Sequence, residues 1–158
     1  MAKEKGRPPS EGPRIQNKKA TVNYEILERV EAGIALKGSE VKSLREGKAT
    51  LTDAYARIEG GQVALVNFQV EPYGKASHFN HNPKRIKRLL LHKREIKKLV
   101  SRVTIKGQTL IPLRVYFNEK GLVKVELALA RGRQVHDKRQ VERKRQDLRD
   151  MARAAKRR

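Results

Sequence analysis

Two histidines, His78 and His81, stand three apart in the stretch "SHFNHNP". Such a pair can supply two nitrogen ligands to zinc. A protein zinc site needs at least a third ligand, and none stands nearby at a matching spacing. We therefore expect no metal and two solvated histidines in a polar loop. Nucleophilic chemistry is no better supplied. There is no cysteine, and no serine sits in a G-x-S-x-G turn. No glycine-rich phosphate loop follows a strand pattern. The acidic residues of the central region are scattered singly, which argues against a two-metal hydrolytic site. The expectation is a protein that is not an enzyme and holds no cofactor.

Charge is the chemistry that remains. Lysine and arginine number 38 against 17 acidic residues, a formal net charge of +21. This excess exceeds what solubility needs and points to a polyanionic partner. A membrane surface calls for an amphipathic helix with a broad apolar face. The basic segments here are poor in apolar residues and the chain has no tryptophan, so nucleic acid is favoured. In "GSEVKSLREGKA", Lys42 and Arg45 fall on one face of a helix while Val41 and Leu44 face inward. Lys37, Lys48 and the runs "KRIKR" and "HKREIKK" extend this into an expected basic surface. Lysine and arginine grip phosphates without reading sequence. Only four tyrosines and three phenylalanines are present, several of them expected in the core. Recognition of a folded RNA's shape is thus expected over base-by-base stacking.

These residues need a scaffold. Residues 1–20 read as a flexible basic arm, 21–129 as the part able to hold a core, and 130–158 as a basic tail. The tail has twelve Lys or Arg and four acidic residues. The longest apolar runs, "LALA" and "LLL", are too short to span a bilayer, and "MAKEKGRPPSEGPR" lacks the apolar stretch of a secretory leader. A cytoplasmic location is expected. The core reads mostly as strands. Gly33, inside "YEILERVEAGIAL", predicts a bulge or bend. Gly60-Gly61 predicts a tight hairpin. "TLIPLRVYFNEKGLVKVELALA" predicts a second hairpin, with Ile111, Leu113, Val115 and Phe117 on one face. Val123, Val125, Leu127 and Leu129 return beside them, and Gly121 serves the turn. Pro112 predicts an edge or a bulge. One helix is expected with Ser39 as its N-cap and Gly47 as its stop. A second carries Ile96, Leu99, Val100 and Val103 on one face. About six short strands with these helices predict a mainly β protein, a small antiparallel barrel.

Four stretches together resemble the SsrA-binding proteins, or small protein B, the partners of transfer-messenger RNA. They are "EAGIALKGSEVKSLREGKA", "LLLHKREIKKL", "KGQTLIPLRVYFNEKG" and "HDKR". The resemblance runs from about Asn17 to Arg139 and implies an OB-like β-barrel with two or three helices. It also implies a C-terminal tail that is disordered in the free protein. The implied function is binding the tRNA-like domain of transfer-messenger RNA and delivering it to stalled ribosomes for peptide tagging. The tail would enter the empty messenger channel near the decoding centre and become helical there.

The resemblance places the RNA face on Asn17, Lys18, Lys19, Glu31, Lys42, Arg45, Lys48 and Leu90. From the residues alone, Glu31 reads as a strand surface charge and Leu90 as a core side chain. The ribosome-facing tail falls on Gly132, Arg133, His136, Asp137, Lys138, Arg139, Arg143 and Lys144, with His136 placed to stack on a ribosomal RNA base. Implied partners are transfer-messenger RNA, the ribosome with its small-subunit rRNA, and elongation factor Tu indirectly; a monomer and no membrane are expected. Ser39, Gln134 and Val135 depart from the family's usual residues. The alternative is a structural ribosomal protein or another OB-fold RNA-binding translation factor. Val141, Leu148, Met151 and Ala155 form a thin apolar stripe in the tail, too narrow to fold alone but able to form a helix against a partner.

Overall fold

The computed structural model describes residues 12–75, 80–105 and 107–157. Among them the elements run β1 (Ile15–Gln16), α1 (Ala20–Asn23), β2 (Tyr24–Ile34), α2 (Gly38–Arg45), β3 (Ala49–Thr50), β4 (Tyr55–Glu59) and β5 (Gln62–Val66). Then follow β6 (Gln69–Val70), β7 (Lys87–Leu90), α3 (Lys93–Val103), β8 (Gln108–Phe117), β9 (Val123–Gly132) and α4 (Val135–Lys156). Among the described residues the protein is mainly β with four helices. The main sheet is ordered β1-β8-β4-β5-β7-β2-β9, and β9 pairs back onto β8. β3 and β6 form a separate small ladder.

Alternation of apolar residues builds the core. Val63, Leu65, Val125, Leu127 and Leu129 are buried to within 1 % on the inward face of their strands. Leu44 of α2 and Leu99 of α3 close over them. Each large side chain so buried is worth about 1.5–3 kcal/mol. Ile96 and Val103 pack against this core as expected, whereas Val100 stays 40 % exposed. The β4–β5 turn takes Gly60 at φ +56° and Gly61 at φ +74°, the paired left-handed conformation of a two-residue hairpin.

Several expectations are corrected. The β8 face does not alternate cleanly from Ile111 to Phe117. A register shift lies between Pro112 and Arg114, so Leu110, Val115 and Phe117 join the main core, while Ile111 packs with Ala20, Ala128 and Ala130. One extra residue at a bulge inverts the side-chain phase. Pro112 sits at this bulge, as expected. In β2 the irregularity lies between Ile26 and Glu28, not at Gly33. Gly33 pairs with Lys124 on one side and Leu90 on the other, and a Cβ there would lie 3.2 Å from the Leu90 Cβ. Close approach explains that glycine. Ser39 is not the N-cap of α2: Lys37 is, and its N–H donates to Glu40 Oε1 at 2.8 Å. Gly47, at φ +73°, ends the helix as expected.

The boundaries also move. Ile15–Gln16 pair with β8, and Asn17 N–H donates to Leu113 O at 2.8 Å, so the fold starts inside the expected arm. Residues 1–11 lie outside the described residues. The tail is one helix of 22 residues rather than disordered. Its few apolar residues suggested disorder, but 134–157 contains neither glycine nor proline and is rich in helix-favouring arginine, lysine, glutamine and alanine. The body also offers a docking point: Arg145 Nη1 donates to Lys18 O at 3.3 Å. The apolar stripe is not what docks, since Leu148 and Met151 remain 66 % and 69 % exposed.

Candidate nucleic-acid interface

Period-two alternation puts Arg29 and Glu31 on the same face of β2, beside Lys124 and Glu126 of β9 and Arg114 and Tyr116 of β8. Glu31 stands directly opposite Glu126, an arrangement that repels unless each charge is compensated. Both are. Arg29 Nη1 donates to Glu126 Oε1 at 3.0 Å, and Arg114 Nε donates to its other oxygen. The Tyr116 hydroxyl donates to Glu31 Oε2, and the Arg114 guanidinium lies 5.1 Å over the Tyr116 ring.

Two cavities adjoin along this face, with Arg29 lining both. The smaller, about 350 Å³, is lined by Asn17, Lys18, Arg29, Arg114, Glu126 and Arg145 among others. The larger, about 710 Å³, includes Glu31, Gly33, Leu90, His92, Lys98 and Lys124. Four expected residues, Asn17, Lys18, Glu31 and Leu90, thus share one face. Leu90 is 54 % exposed rather than a core side chain. Asn17 also has a structural task, because its Nδ2 donates to Pro112 O at 3.2 Å and ties the chain to the β8 bulge. At the rim, Lys98 Nζ donates to Glu28 Oε1 at 2.6 Å. That hydrogen bond, against some desolvation and helped by the charges of Lys98 and Arg102, holds the Glu28 carboxyl below its ordinary range. A third cavity, about 570 Å³, runs between α1 and α4, where Lys18 and Lys19 meet Glu142, Arg145 and Arg149.

Lys42, Arg45 and Lys48 line none of these three cavities and form a separate exposed group on and after α2. Lys42 Nζ lies 5.5 Å over the Tyr73 ring and Arg45 6.0 Å from the Phe117 ring. Lys48 lies 3.2 Å from Glu46. What fixes α2 beneath them is a buried ionic cluster absent from our sequence reading. Glu40 is fully buried, accepts from Arg85 Nη2 at 2.6 Å and lies 3.5 Å from Lys87 Nζ. Lys87, also fully buried, donates to Phe68 O and Arg85 O at 2.9 and 2.8 Å. Burial pushes Glu40 up, but the Arg85 and Lys37 hydrogen bonds and the Lys87 charge outweigh it, and its carboxyl stays below the ordinary range. Burial pulls Lys87 down, and Glu40 only partly offsets this.

His81 departs from expectation. It is 5 % exposed, its Nε2 donates to Val70 O at 3.0 Å, and Nδ1 meets the Ser39 hydroxyl at 2.8 Å. It is a strut between the loop before β7 and the start of α2, not a solvated side chain. His78 lies outside the described residues. No group of three metal-ligating side chains occurs among the described residues.

The expected tail residues open α4. Gly132 ends β9 opposite Tyr24, and Arg133 N–H donates to Asn23 O at 2.9 Å. Asp137 lies in the first helical turn, where a negative charge suits the helix dipole. His136 Nε2 meets the Gln140 amide at 3.1 Å. Asp137, Arg139, Arg143 and Lys144 are exposed, and Lys138 is half-buried. These residues do not line the cleft against α1; Glu142, Arg145, Gln146 and Arg149 do. Arg29, Arg114, Tyr116, Lys124 and Arg145 were missed in the sequence. The alternation of β2 could have flagged Arg29 beside Glu31; nothing local reveals a cross-strand pair such as Tyr116 with Glu31. No helix among the described residues is long and apolar enough to cross a membrane.

Comparison with known proteins identifies relatives of this chain. The profile of the SmpB protein family matches residues 14–157. The chain is similar to the SsrA-binding protein of Rhodopseudomonas palustris (strain BisA53), 54 % identical over 130 residues, 82 % of this chain and 83 % of that one. It is 50 % identical to the SsrA-binding protein of Trichodesmium erythraeum (strain IMS101) over 159 residues, 99 % of each chain. A solved structure from work described as "tmRNA-SmpB: a journey to the center of the bacterial ribosome" superposes with a TM-score of 0.67 at 52 % identity, covering 78 % of this chain and 87 % of that one. With the profile spanning nearly all the described residues and half the positions identical across whole relatives, the chain belongs to the SmpB family of SsrA-binding proteins.

Proposed function

We propose that this chain is an RNA-binding adaptor of trans-translation, which binds transfer-messenger RNA and brings it to the stalled ribosome. Family membership supports the partners. The carrying observation is geometric: Asn17 and Lys18, Glu31, and Leu90, from three separate segments of the chain, line two cavities that share Arg29 on one sheet face. The tRNA-like domain would lie across this face, with Lys18 and Lys19 on its phosphates and Lys42, Arg45 and Lys48 gripping a second stretch of backbone. We read the circuit of pairings from β8 through β4, β5, β7, β2 and β9 back to β8 as a small closed barrel of OB-like kind. That is a stiff platform suited to holding an RNA elbow.

The tail completes the adaptor. His136, Asp137, Lys138, Arg139, Arg143 and Lys144 would meet small-subunit rRNA in the empty messenger channel, with Gly132 and Arg133 as the joint to the body. The task is binding and placement, with no catalytic step assigned to the chain. A monomer acting in the cytoplasm, with elongation factor Tu joining through the RNA, fits this role. Crosslinking in cells followed by sequencing of the bound RNA tests it. Transfer-messenger RNA should dominate the recovered reads. Recovery of ribosomal RNA at one fixed site without transfer-messenger RNA would instead mark a structural ribosomal protein.

A further inference from the structure

Two limbs of the connection between β6 and β7 lie beside α2, from just past its end back to its start. On the outgoing limb, Glu71 N–H donates to Lys48 O at 3.0 Å. Two residues on, the Tyr73 ring carries the Lys42 ammonium 5.5 Å from its centre. On the return limb, His81 Nδ1 accepts from the Ser39 hydroxyl at 2.8 Å. Ser39 and Lys42 are neighbours at i and i+3 on one helical face, so the limbs meet that face at two points. Asn80 ties the limbs together. Its Oδ1 accepts from Tyr73 N–H at 3.2 Å and from His81 N–H at 3.1 Å, and its Nδ2 donates to Tyr73 O at 3.0 Å. Both backbone polar groups of Tyr73 are therefore held, and its ring is half-buried. At the base, Val70 N–H donates to Pro83 O at 3.0 Å, and Val70 O accepts from His81 Nε2.

We infer that Tyr73 is a positioning residue for Lys42, and that the two tied limbs are the splint that holds its ring. The inference rests on the reading of α2 as an RNA-gripping helix and names what presets that grip. A lysine ammonium rides on a flexible four-carbon stem, whose freedom is lost when it meets a phosphate. A ring face within about 6 Å attracts the ammonium and restricts the stem beforehand. The ring occupies one side of the ammonium, and donors on the other side stay open to a phosphate oxygen. Among the described residues no carboxylate lies within ion-pair distance of Lys42, so a phosphate displaces no partner there. The neighbouring cations are placed differently. Lys48 lies 3.2 Å from Glu46, and Arg45 is 6.0 Å from the Phe117 ring, at the limit of such attraction.

The test compares full-length Tyr73→Phe, Tyr73→Leu, Asn80→Ala and Lys42→Ala with the parent. NMR of the free protein reads the Lys42 ε-methylene protons, which the Tyr73 ring current should move upfield. The displacement should persist in Y73F, vanish in Y73L and shrink in N80A. Anisotropy reads affinity for the tRNA-like domain. Y73L should bind about threefold more weakly, the worth of an exposed cation–π contact, and Y73F should restore the parental value. N80A loosens the same ring without altering it and should lose up to the same factor. Neither Y73L nor N80A should weaken binding further once Lys42 is alanine, because the ammonium being positioned is gone. An equal loss from Y73L with and without Lys42 would mean that Tyr73 meets the RNA itself or acts only on the fold, and would overturn the inference. Parental affinity in Y73L, or a loss in Y73F as large as in Y73L, would overturn it too. A Lys42→Ala loss with no Tyr73 effect removes this inference alone. Parental affinity in Lys42→Ala, with the ring-current displacement intact in the parent, removes the reading of α2 as an RNA grip and the preset with it.

Discussion

Glu28 and Glu40 each have a carboxylate oxygen 2.6 Å from a cationic nitrogen, yet burial separates their energetics. The Glu28–Lys98 pair is 31 % and 57 % exposed and should contribute less than about 1 kcal/mol. Glu40 and Lys87 are both fully buried, so removing the carboxylate strands the Lys87 ammonium with only two carbonyl acceptors and the nearby Arg85 charge. We predict that Glu40→Gln lowers unfolding stability by about 3 kcal/mol in urea titrations, while Glu28→Gln lowers it by under about 1 kcal/mol. A loss in E40Q no larger than in E28Q would count against the cluster as an anchor of α2. The pH dependence has a definite sign. The folded-state Glu40 value lies below 4.5, so its contribution is complete above that value and is lost as the pH falls through the folded one. Lys87 gives a slope of the same sign at the other end: burial holds its folded value below 10.5, so stability gains as pH rises from that value towards 10.5. The acid-side slope should therefore be shallower in E40Q than in the parent, measured as unfolding free energy against pH.

At the scale of elements, turns were easier to read than strand phase. Gly60-Gly61, Gly121 and Gly47 each announce a positive φ that other residues adopt only with strain, and each takes it. The faces of α2 and α3 followed from their apolar spacing. The bulge beside Pro112 was expected, but not its consequence for Ile111, because alternation counted from one end ignores an inserted residue. Within the candidate site, the lysines of α2 were legible as a helical face. The neighbours of Glu31 were not, because they come from two other strands whose register no local pattern fixes. Helix α4 has only a thin apolar stripe, which predicts a helix only against a partner, whereas its helix-favouring residues carry it from Val135 to Lys156 in the chain by itself. Its link to the body is slight, chiefly one exposed hydrogen bond from Arg145 to Lys18 and the cleft around it. Cutting after Ala130 would remove the last β9 pairs with Tyr24 and Glu25, so the informative cut follows Arg133, whose N–H still reaches Asn23 O. We predict that the protein ending at Arg133 keeps its affinity for the tRNA-like domain within about threefold, the worth of one such bond. Peptide tagging on stalled ribosomes should be abolished. Equal loss of both activities, measured by anisotropy and by tagging in a reconstituted translation reaction, would refute the division between body and tail.

For the molecule as a whole, a charge of +21 and a near-neutral cavity at Glu31 imply two separable kinds of contact with one RNA. Phosphate contacts release counterions and so depend on salt; a carboxylate accepting a hydrogen bond from the RNA releases none. If Lys18, Lys19, Lys42, Arg45 and Lys48 each neutralise one phosphate, log K should fall against log salt with a slope of about −4.5, roughly 500-fold between 50 and 200 mM. The two kinds of contact then respond differently to mutation. Lys42→Ala should weaken binding and make the slope shallower by about one. Glu31→Gln should weaken binding at every salt concentration and leave the slope where it was. Lys42 lies outside the cavity, exposed on α2, so its loss should not disturb the Glu31 contacts, and the two effects should add in the double variant. Anisotropy titrations of the tRNA-like domain across that salt range check all three variants. A flat salt response in the parent protein would remove the phosphate reading, and a shallower slope in E31Q would mean that the carboxylate acts by shaping the field of its cationic neighbours instead of by accepting from the RNA.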